Sequence, residues 1–376
     1  MGNSNSTGIF VQTDRPVYSP GEIVSGTVFI NIPNPVKAST LTLRLKGKEK
    51  THWTEQRTRH VRDRTETYTE TFYGEHQMFN VIIPVASFDR NLPFSGQYQY
   101  PFSFILPEGI PGSTSVAFGN ATGRIYYKVK AVLDVVGTFK SDLKFRQPIY
   151  IRQLPPFIGR LQATYSSPVK VFCCFNKGYV NLSVTADKNS YTGGEVATII
   201  SSIENQSSKP FKRVIAELVQ VIELTARNGY KETHTTKAKN VYPGIEPMTT
   251  DMARQMALAL PPDLQQNALG YLVRVYYTLN VRADLSWGSD PTCAMPVIIY
   301  ESDLVMMAAN PMVQVVAPAG YQPIIQQEVV VPAPAGSAPP APFTLSNFVN
   351  VQPISPVIGP GSAPQQMQPN GVVHTY

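Results

Sequence analysis

The chain has 376 residues, 43% of them hydrophobic, 10% aromatic and 15% charged, with 33 Pro and 25 Gly. That is enough apolar material for real cores, so disorder over the whole length is excluded, and no uncharged apolar run approaches the ~18 residues of a membrane-spanning helix. The MGNSNSTG start lacks the basic and apolar segments of a secretory signal, and three Cys cannot frame a disulfide scaffold, so the sequence predicts a cytosolic, reduced protein.

Met1-Gly2-Asn3-Ser4-Asn5-Ser6 fits the N-myristoylation pattern M-G-x-x-x-[ST], with Gly2 supplying the acylated amine once Met1 is removed. One myristoyl chain holds a membrane only marginally, so a second signal is needed. Residues 44–64 carry Arg44, Lys46, Lys48, Lys50, Arg57, Arg59, Arg62 and Arg64 against Glu49, Glu55 and Asp63. Near an anionic leaflet each such cation contributes about 1 kcal/mol, so this stretch is the predicted membrane contact. Trp53 and the His residues beside it form no stacking platform, which argues against nucleic acid.

The same region begins a series of strands. Residues 41–46 (LTLRLK) alternate strictly, with Leu41, Leu43 and Leu45 on one face and Thr42, Arg44 and Lys46 on the other. The alternation returns at 125–134 (IYYKVKAVLD) and 272–282 (LVRVYYTLNVR). Period two over such lengths predicts half-buried strands of antiparallel sheets. Turn signals recur at 19–21 (SPG), 91–96 (NLPFSG) and 192–194 (TGG), and only the short stretch 251–258 (DMARQMAL) has a helical look.

The two halves repeat each other. Residues 18–24 (YSPGEIV) match 191–197 (YTGGEVA), Leu106-Pro107 matches Leu260-Pro261, and 125–134 matches 275–284 (VYYTLNVRAD), at offsets of 173, 154 and 150. Ordered matches predict a duplicated sandwich. The connector is about 152–160 (RQLPPFIGR), stiffened by Pro155-Pro156. From Asp303 to Tyr376 there are 13 Pro, no Lys or Arg, and only Asp303 and Glu328 as acids, which predicts a disordered Pro-rich tail. The remaining body holds 32 basic and 24 acidic residues, so the positive charge belongs to the folded part.

No catalytic constellation is present. Five scattered His without a His-x-x-x-His or Cys-x-x-Cys pair predict no metal site, and there is no G-x-S-x-G elbow, Walker loop or dinucleotide fingerprint. The sequence therefore predicts neither enzyme activity nor a cofactor. Cys173 and Cys174 would be S-palmitoylation sites if exposed and core packing if buried.

These motifs resemble the arrestin superfamily, and specifically the α-arrestins (arrestin domain-containing proteins). VYSPGEIVSGTVFI (17–30), LTLRLKGKEKTHWTE (41–55), LPEGIPGS (106–113) and GRIYYKVKAVLD (123–134) are similar to the strands of that family's first domain. KVFCCFNKGYVNLSVTADKNSYTGGEV (170–196), SSIENQSSKPFKRVIAELVQVIEL (201–224) and YLVRVYYTLNVRADLSWG (271–288) are similar to its second. The resemblance implies an all-β fold of two tandem antiparallel, immunoglobulin-like sandwiches. Its segments would be 1–8 acylated, 9–154 the first domain, 155–302 the second and 303–376 the tail. It implies a non-enzymatic adaptor that binds cytoplasmic segments of membrane proteins and directs their endocytosis and trafficking, peripherally at the plasma membrane or endosomes. A cargo peptide would pair with an edge strand of the first domain. The alternative within the fold is a retromer-like coat subunit in a fixed complex.

Departures from the family pattern also carry expectations. Pro155-Pro156, Pro261-Pro262 and Pro339-Pro340 lack the Tyr of a Pro-Pro-x-Tyr motif, so ubiquitin ligases or endocytic-coat components would be recruited indirectly. Tyr321-Gln-Pro-Ile324 fits a Tyr-x-x-apolar sorting pattern. Arg152 sits where the family's central arginine would lie, with Asp14 as its candidate partner. The acid-rich loop is shortened to PPDLQQN at 261–267, so an ordinary surface ion pair is expected there instead of a phosphate-triggered switch.

Overall fold

The computed structural model describes residues 7–61, 64–137, 141–171, 175–286 and 288–301. Gly2, Arg62, Cys173, Cys174, Tyr321, Ile324 and the tail from 302 lie outside the described residues. Among the described residues every regular element is a strand, in two tandem sandwiches.

In the first half, β1 (Gly8–Thr13), β3 (Ile23–Val36) and β6 (Phe94–Ile105) form one sheet in the order β1-β3-β6. The facing sheet runs β2-β9-β8-β4-β5, from β2 (Val17–Tyr18), β9 (Leu143–Ile151), β8 (Ala121–Val135), β4 (Ala38–Val61) and β5 (Arg64–Ser87), with β7 (Thr114–Phe118) also paired to β8. The second half repeats this. β10 (Leu161–Val171), β11 (Phe175–Ala186), β13 (Val196–Ser207) and β16 (Thr249–Ala259) form one sheet in that order. β12 (Ser190–Tyr191), β19 (Thr292–Ile299), β18 (Val273–Leu285), β14 (Phe211–Ala226) and β15 (Gly229–Ile245) form the other in that order, with β17 (Ala268–Leu269) on β18. All pairs are antiparallel except β2–β9 and β12–β19, one short parallel contact in each half.

Alternation places the cores where the sequence puts them. Leu41 and Leu43 are fully buried, as are Val129, Ala131 and Leu133 of β8 and Val273, Val275, Tyr277 and Val281 of β18. Their polar neighbours face outward, the half-wet sheet expected of period two. The stretch 251–258 lies within β16 and is a strand, not a helix. Positive φ at Met248 and Ala253, with a bulge opposite Ser201/Ile203, breaks its alternation and lends it the helical look.

The duplication extends to single hydrogen bonds. Gly21 and Gly194 take φ of 80° and 84°, a left-handed turn that only glycine adopts without strain. One residue on, Glu22 and Glu195 accept the backbone N–H groups of Ser19 and Thr192, both at 3.0 Å. Leu106 N–H donates to Glu22 O at 2.9 Å and Leu260 N–H to Glu195 O at 2.8 Å. Tyr18 and Tyr191 donate their hydroxyls to Asp14 and Asp187, and Tyr127 and Tyr277 donate theirs to the carbonyls of Pro111 and Gln265 at 2.6 and 2.8 Å.

If the halves are copies in energetic terms, Tyr127→Phe and Tyr277→Phe should both destabilise, since each leaves a carbonyl without its donor, by about 1–2 kcal/mol in urea denaturation. Tyr277→Phe should cost somewhat more, because Tyr277 Oη also accepts the buried Gln220 amide at 2.7 Å. A large cost from one and none from the other would break the equivalence.

Candidate functional site

The two sandwiches meet around a buried carboxylate. Glu49 lies on the inward side of β4, in register with Leu45, and is 1% exposed. Its oxygens accept the N–H groups of Tyr271 at 3.0 Å, Leu272 at 2.6 Å and Val273 at 3.2 Å, where β17 turns into β18. Successive backbone donors make a concave anion seat, and here it replaces the hydration that the carboxylate loses on burial. His76 Nδ1 lies 3.5 Å from the same carboxylate, and its ring packs on Tyr271. A Cβ at Gly270 would sit 2.6 Å from Glu49 Oε2, so the close approach requires glycine there.

A second cluster completes the junction. The Gln266 side chain accepts Gln153 N–H at 2.9 Å and donates to the carbonyls of Ser113 and Ile151 at 3.0 and 3.1 Å. Thr51 Oγ1 donates to Thr225 O at 2.6 Å, and Gly229 packs against the stacked Trp53 and Phe72 rings. Trp53 is fully buried in this contact. Burial raises the Glu301 carboxyl, which Tyr150 Oη approaches at 3.4 Å.

Asp14 and Arg152 have separate partners. Asp14 is engaged by Tyr18 and Arg15 within its own turn, whereas Arg152 Nε donates to Ser19 Oγ at 3.2 Å. The expected ion pair between them is not formed: Asp14 is held within its own turn and Arg152 turns to Ser19.

The basic stretch divides into two environments. Near the β4–β5 hairpin tip, Arg57 pairs with Glu70 at 2.7 Å and Arg59 with Glu66 at 2.9 Å, while Arg64 is exposed. Arg44, Lys46, Lys48 and Lys50 instead stand on the outer face of the sheet, where β8 and β9 add cations that lie outside the 44–64 stretch. Cross-strand register aligns Arg44 with Lys130 and Lys130 with Arg146, and Lys46 with Lys128. Glu75 neutralises Lys48 and Lys50 and, held by Lys48, Tyr73 and Lys50, has its carboxyl pulled down to about 2. Asp142 pairs with Lys144 at 3.0 Å.

A third feature distinguishes the halves. Asp14 N–H donates to Ser25 O, so in antiparallel register Gly8, Phe10 and Gln12 turn their backbone groups toward β3 while Ile9, Val11 and Thr13 turn theirs outward. Asp187 N–H donates to Thr198 O in the same way, so Leu182, Val184 and Ala186 turn outward from β13. There they meet Tyr165, Ala163 and Leu161 of β10. Among the described residues β1 has no counterpart of β10 and pairs with β3 alone.

Two hinged sandwiches, duplicated in register and locked by buried polar groups, define a tandem β-sandwich scaffold. The family model for the arrestin (or S-antigen) N-terminal domain matches residues 8–153, and that for the arrestin (or S-antigen) C-terminal domain matches 176–304. The chain belongs to the arrestin family and is of the α-arrestin type. It is 26% identical over 301 residues to arrestin domain-containing protein A of Dictyostelium discoideum, covering 78% of this chain and 51% of that protein. It is 26% identical over 325 residues to arrestin domain-containing protein 17 of Caenorhabditis elegans, covering 80% and 74%. With arrestin domain-containing protein 1 of Homo sapiens it shares 24% over 352 residues, covering 89% and 75%. The chain thus spans about half the length of the Dictyostelium relative. Among the described residues no helix is long and apolar enough to cross a membrane.

Glu49→Gln tests the junction directly. The amide sets a donor against backbone donors, so stability should fall by about 2–3 kcal/mol in urea denaturation. Small-angle scattering should register looser domains; an unchanged midpoint would deny Glu49 this role. Glu301 adds a pH signature. With its carboxyl raised in the folded state, its contribution to stability is full below the ordinary glutamate value and is lost as pH rises through the raised one. Glu301→Gln should flatten that part of the stability profile.

Proposed function

We propose that this chain is a non-enzymatic adaptor that takes cytoplasmic segments of membrane proteins as cargo and directs their endocytosis and intracellular trafficking. It works from the cytoplasm, held peripherally at the plasma membrane or endosomes by an acylated Gly2 and an anionic-lipid contact. Ubiquitin ligases or coat components are reached indirectly, since the chain has no Pro-Pro-x-Tyr motif of its own.

The observation that carries this reading is the outward-facing backbone of β1. A strand edge with regularly spaced N–H and C=O groups accepts an extended peptide by strand addition. Within the same molecule β10 supplies a working example on β11, in known register. A cargo segment on β1 would meet Ile9, Val11 and Thr13 as β10 meets Leu182, Val184 and Ala186.

Val11→Pro tests it. Val11 directs its N–H away from β3, so proline there keeps the β1–β3 ladder and blocks the outer edge. Val11→Ala removes packing but keeps the N–H, and serves as the control. In cells, proximity labelling by the full chain should enrich membrane proteins with cytoplasmic segments. That enrichment should fall roughly tenfold with Val11→Pro, the equivalent of one or two lost backbone hydrogen bonds, and remain with Val11→Ala. Equal losses in both variants would remove the edge from the account. The tether has its own test: a myristate analogue should label the wild type and not Gly2→Ala.

A further inference from the structure

We propose that the outer face of the β4–β8–β9 sheet, centred on Lys128 and Lys130, is the surface that docks on an anionic lipid leaflet. The inference rests on the peripheral-membrane reading above and gives it a place and a set of residues.

Three observations lead to it. First, like charges lie directly opposite one another across strands: Arg44, Lys130 and Arg146 form one row, and Lys46 and Lys128 stand in the next. Such pairs destabilise a sheet, so the bare face is in conflict with itself. Second, among the described residues none of these five cations has a carboxylate within ion-pair distance, and Arg44 Nε is buried without a hydrogen-bond partner. Of the acids near this face, Glu75 and Asp142 are committed to other lysines and Asp134 accepts the Thr40 hydroxyl. Third, partial burial and then the neighbouring cations hold the Lys128 and Lys130 ammonium groups below their ordinary range. An external anion offsets the like-charge repulsion and supplies the missing counter-charge, while the buried Arg44 Nε lies beyond its reach.

The placement favours a leaflet over a phosphorylated peptide. β8 is an interior strand, paired by β4 on one side and β9 on the other, so this face has no open backbone edge to hold a peptide. It presents cations on a lattice of about 5 Å across strands and about 7 Å along them, an array suited to many separate headgroups. Its contribution also has the size required, because one acyl chain needs a partner signal of a few cationic contacts. By contrast, Arg57 and Arg59 near the hairpin tip are already neutralised by Glu70 and Glu66.

The test is co-sedimentation of the full chain with vesicles of phosphatidylcholine plus phosphatidylserine, and with vesicles of phosphatidylcholine alone. Lys128→Gln/Lys130→Gln should weaken partitioning to the anionic vesicles about 30-fold, which corresponds to about 1 kcal/mol for each lost cation. Arg57→Gln/Arg59→Gln should change it little. The Lys128/Lys130 variant relieves repulsion, so its melting temperature should be unchanged or higher, which separates lost binding from lost fold. Saturating inositol hexakisphosphate should compete only partly if the leaflet's array is the ligand; complete competition would assign the face to a soluble polyphosphate and overturn the proposal. Equal binding to both vesicle types, equal binding by both proteins, or selective capture of a phosphorylated peptide on this face would overturn it too. Cargo capture retained without vesicle binding would defeat this inference alone and leave the adaptor reading standing.

Discussion

The Glu49 carboxylate, sealed between the sandwiches and held by three backbone N–H groups, fixes how the halves of this molecule meet. A buried charge is tolerated only where donors replace its lost water, and that demand dictates what surrounds it. The chain entering β18 must present consecutive amides, Gly270 must lack a side chain, and β4 must bring its inward face to the junction. Gln266 adds polar contacts alongside, bonding backbone groups of Ser113, Ile151 and Gln153 across the junction. The joint is therefore specified by polar satisfaction in addition to apolar packing.

Within that frame the copies have diverged at their edges. The turn after β1 and the turn after β11 share the same tyrosine–aspartate bond and the same glutamate cap, so their strands leave in the same register. The linker between the halves then leads into β10, which seals the second copy, while among the described residues β1 pairs with β3 alone. On the proposed reading, a scaffold of two similar shells would gain one peptide-accepting edge from a connection, with no new side-chain chemistry. The cationic face lies on the opposite sheet of the same domain, so the proposed cargo and leaflet contacts would not compete for one surface.

Much of this was legible in the sequence. Strict alternation in 41–46, 125–134 and 272–282 marked strands, their buried faces and the sandwich class, and the repeated Tyr-x-x-Gly-Glu turns marked the duplication. What was not legible depends on pairing between distant segments. The cations of 44–64 read as one surface, yet cross-strand acids neutralise Arg57 and Arg59, while Lys128, Lys130 and Arg146 join Arg44 and Lys46 only once β4, β8 and β9 are in register. The role of Glu49 had a signal that went unused: continuing the period from Leu41 through Leu45 puts it on the buried side, where an acid demands a partner. The family pattern places Asp14 beside Arg152, whereas in the structure Asp14 accepts the Tyr18 hydroxyl and Arg152 Nε donates to Ser19, a choice of partners that sequence position alone does not reveal.

Val11 and Val184 occupy equivalent positions in the two copies and both residues are fully buried, backbone included, so burial does not distinguish them. Their pairing among the described residues does, since the Val184 amide faces β10 and the Val11 amide faces away from β3 with no strand opposite it. Amide hydrogen exchange on the full chain, read at these two residues, tests that contrast most directly. The account predicts that Val184 exchanges with the slow core while Val11 exchanges orders of magnitude faster, by local opening alone. Equal, core-like protection at both would mean that the β1 edge is already occupied, and the asymmetry on which the proposed cargo binding rests would not exist.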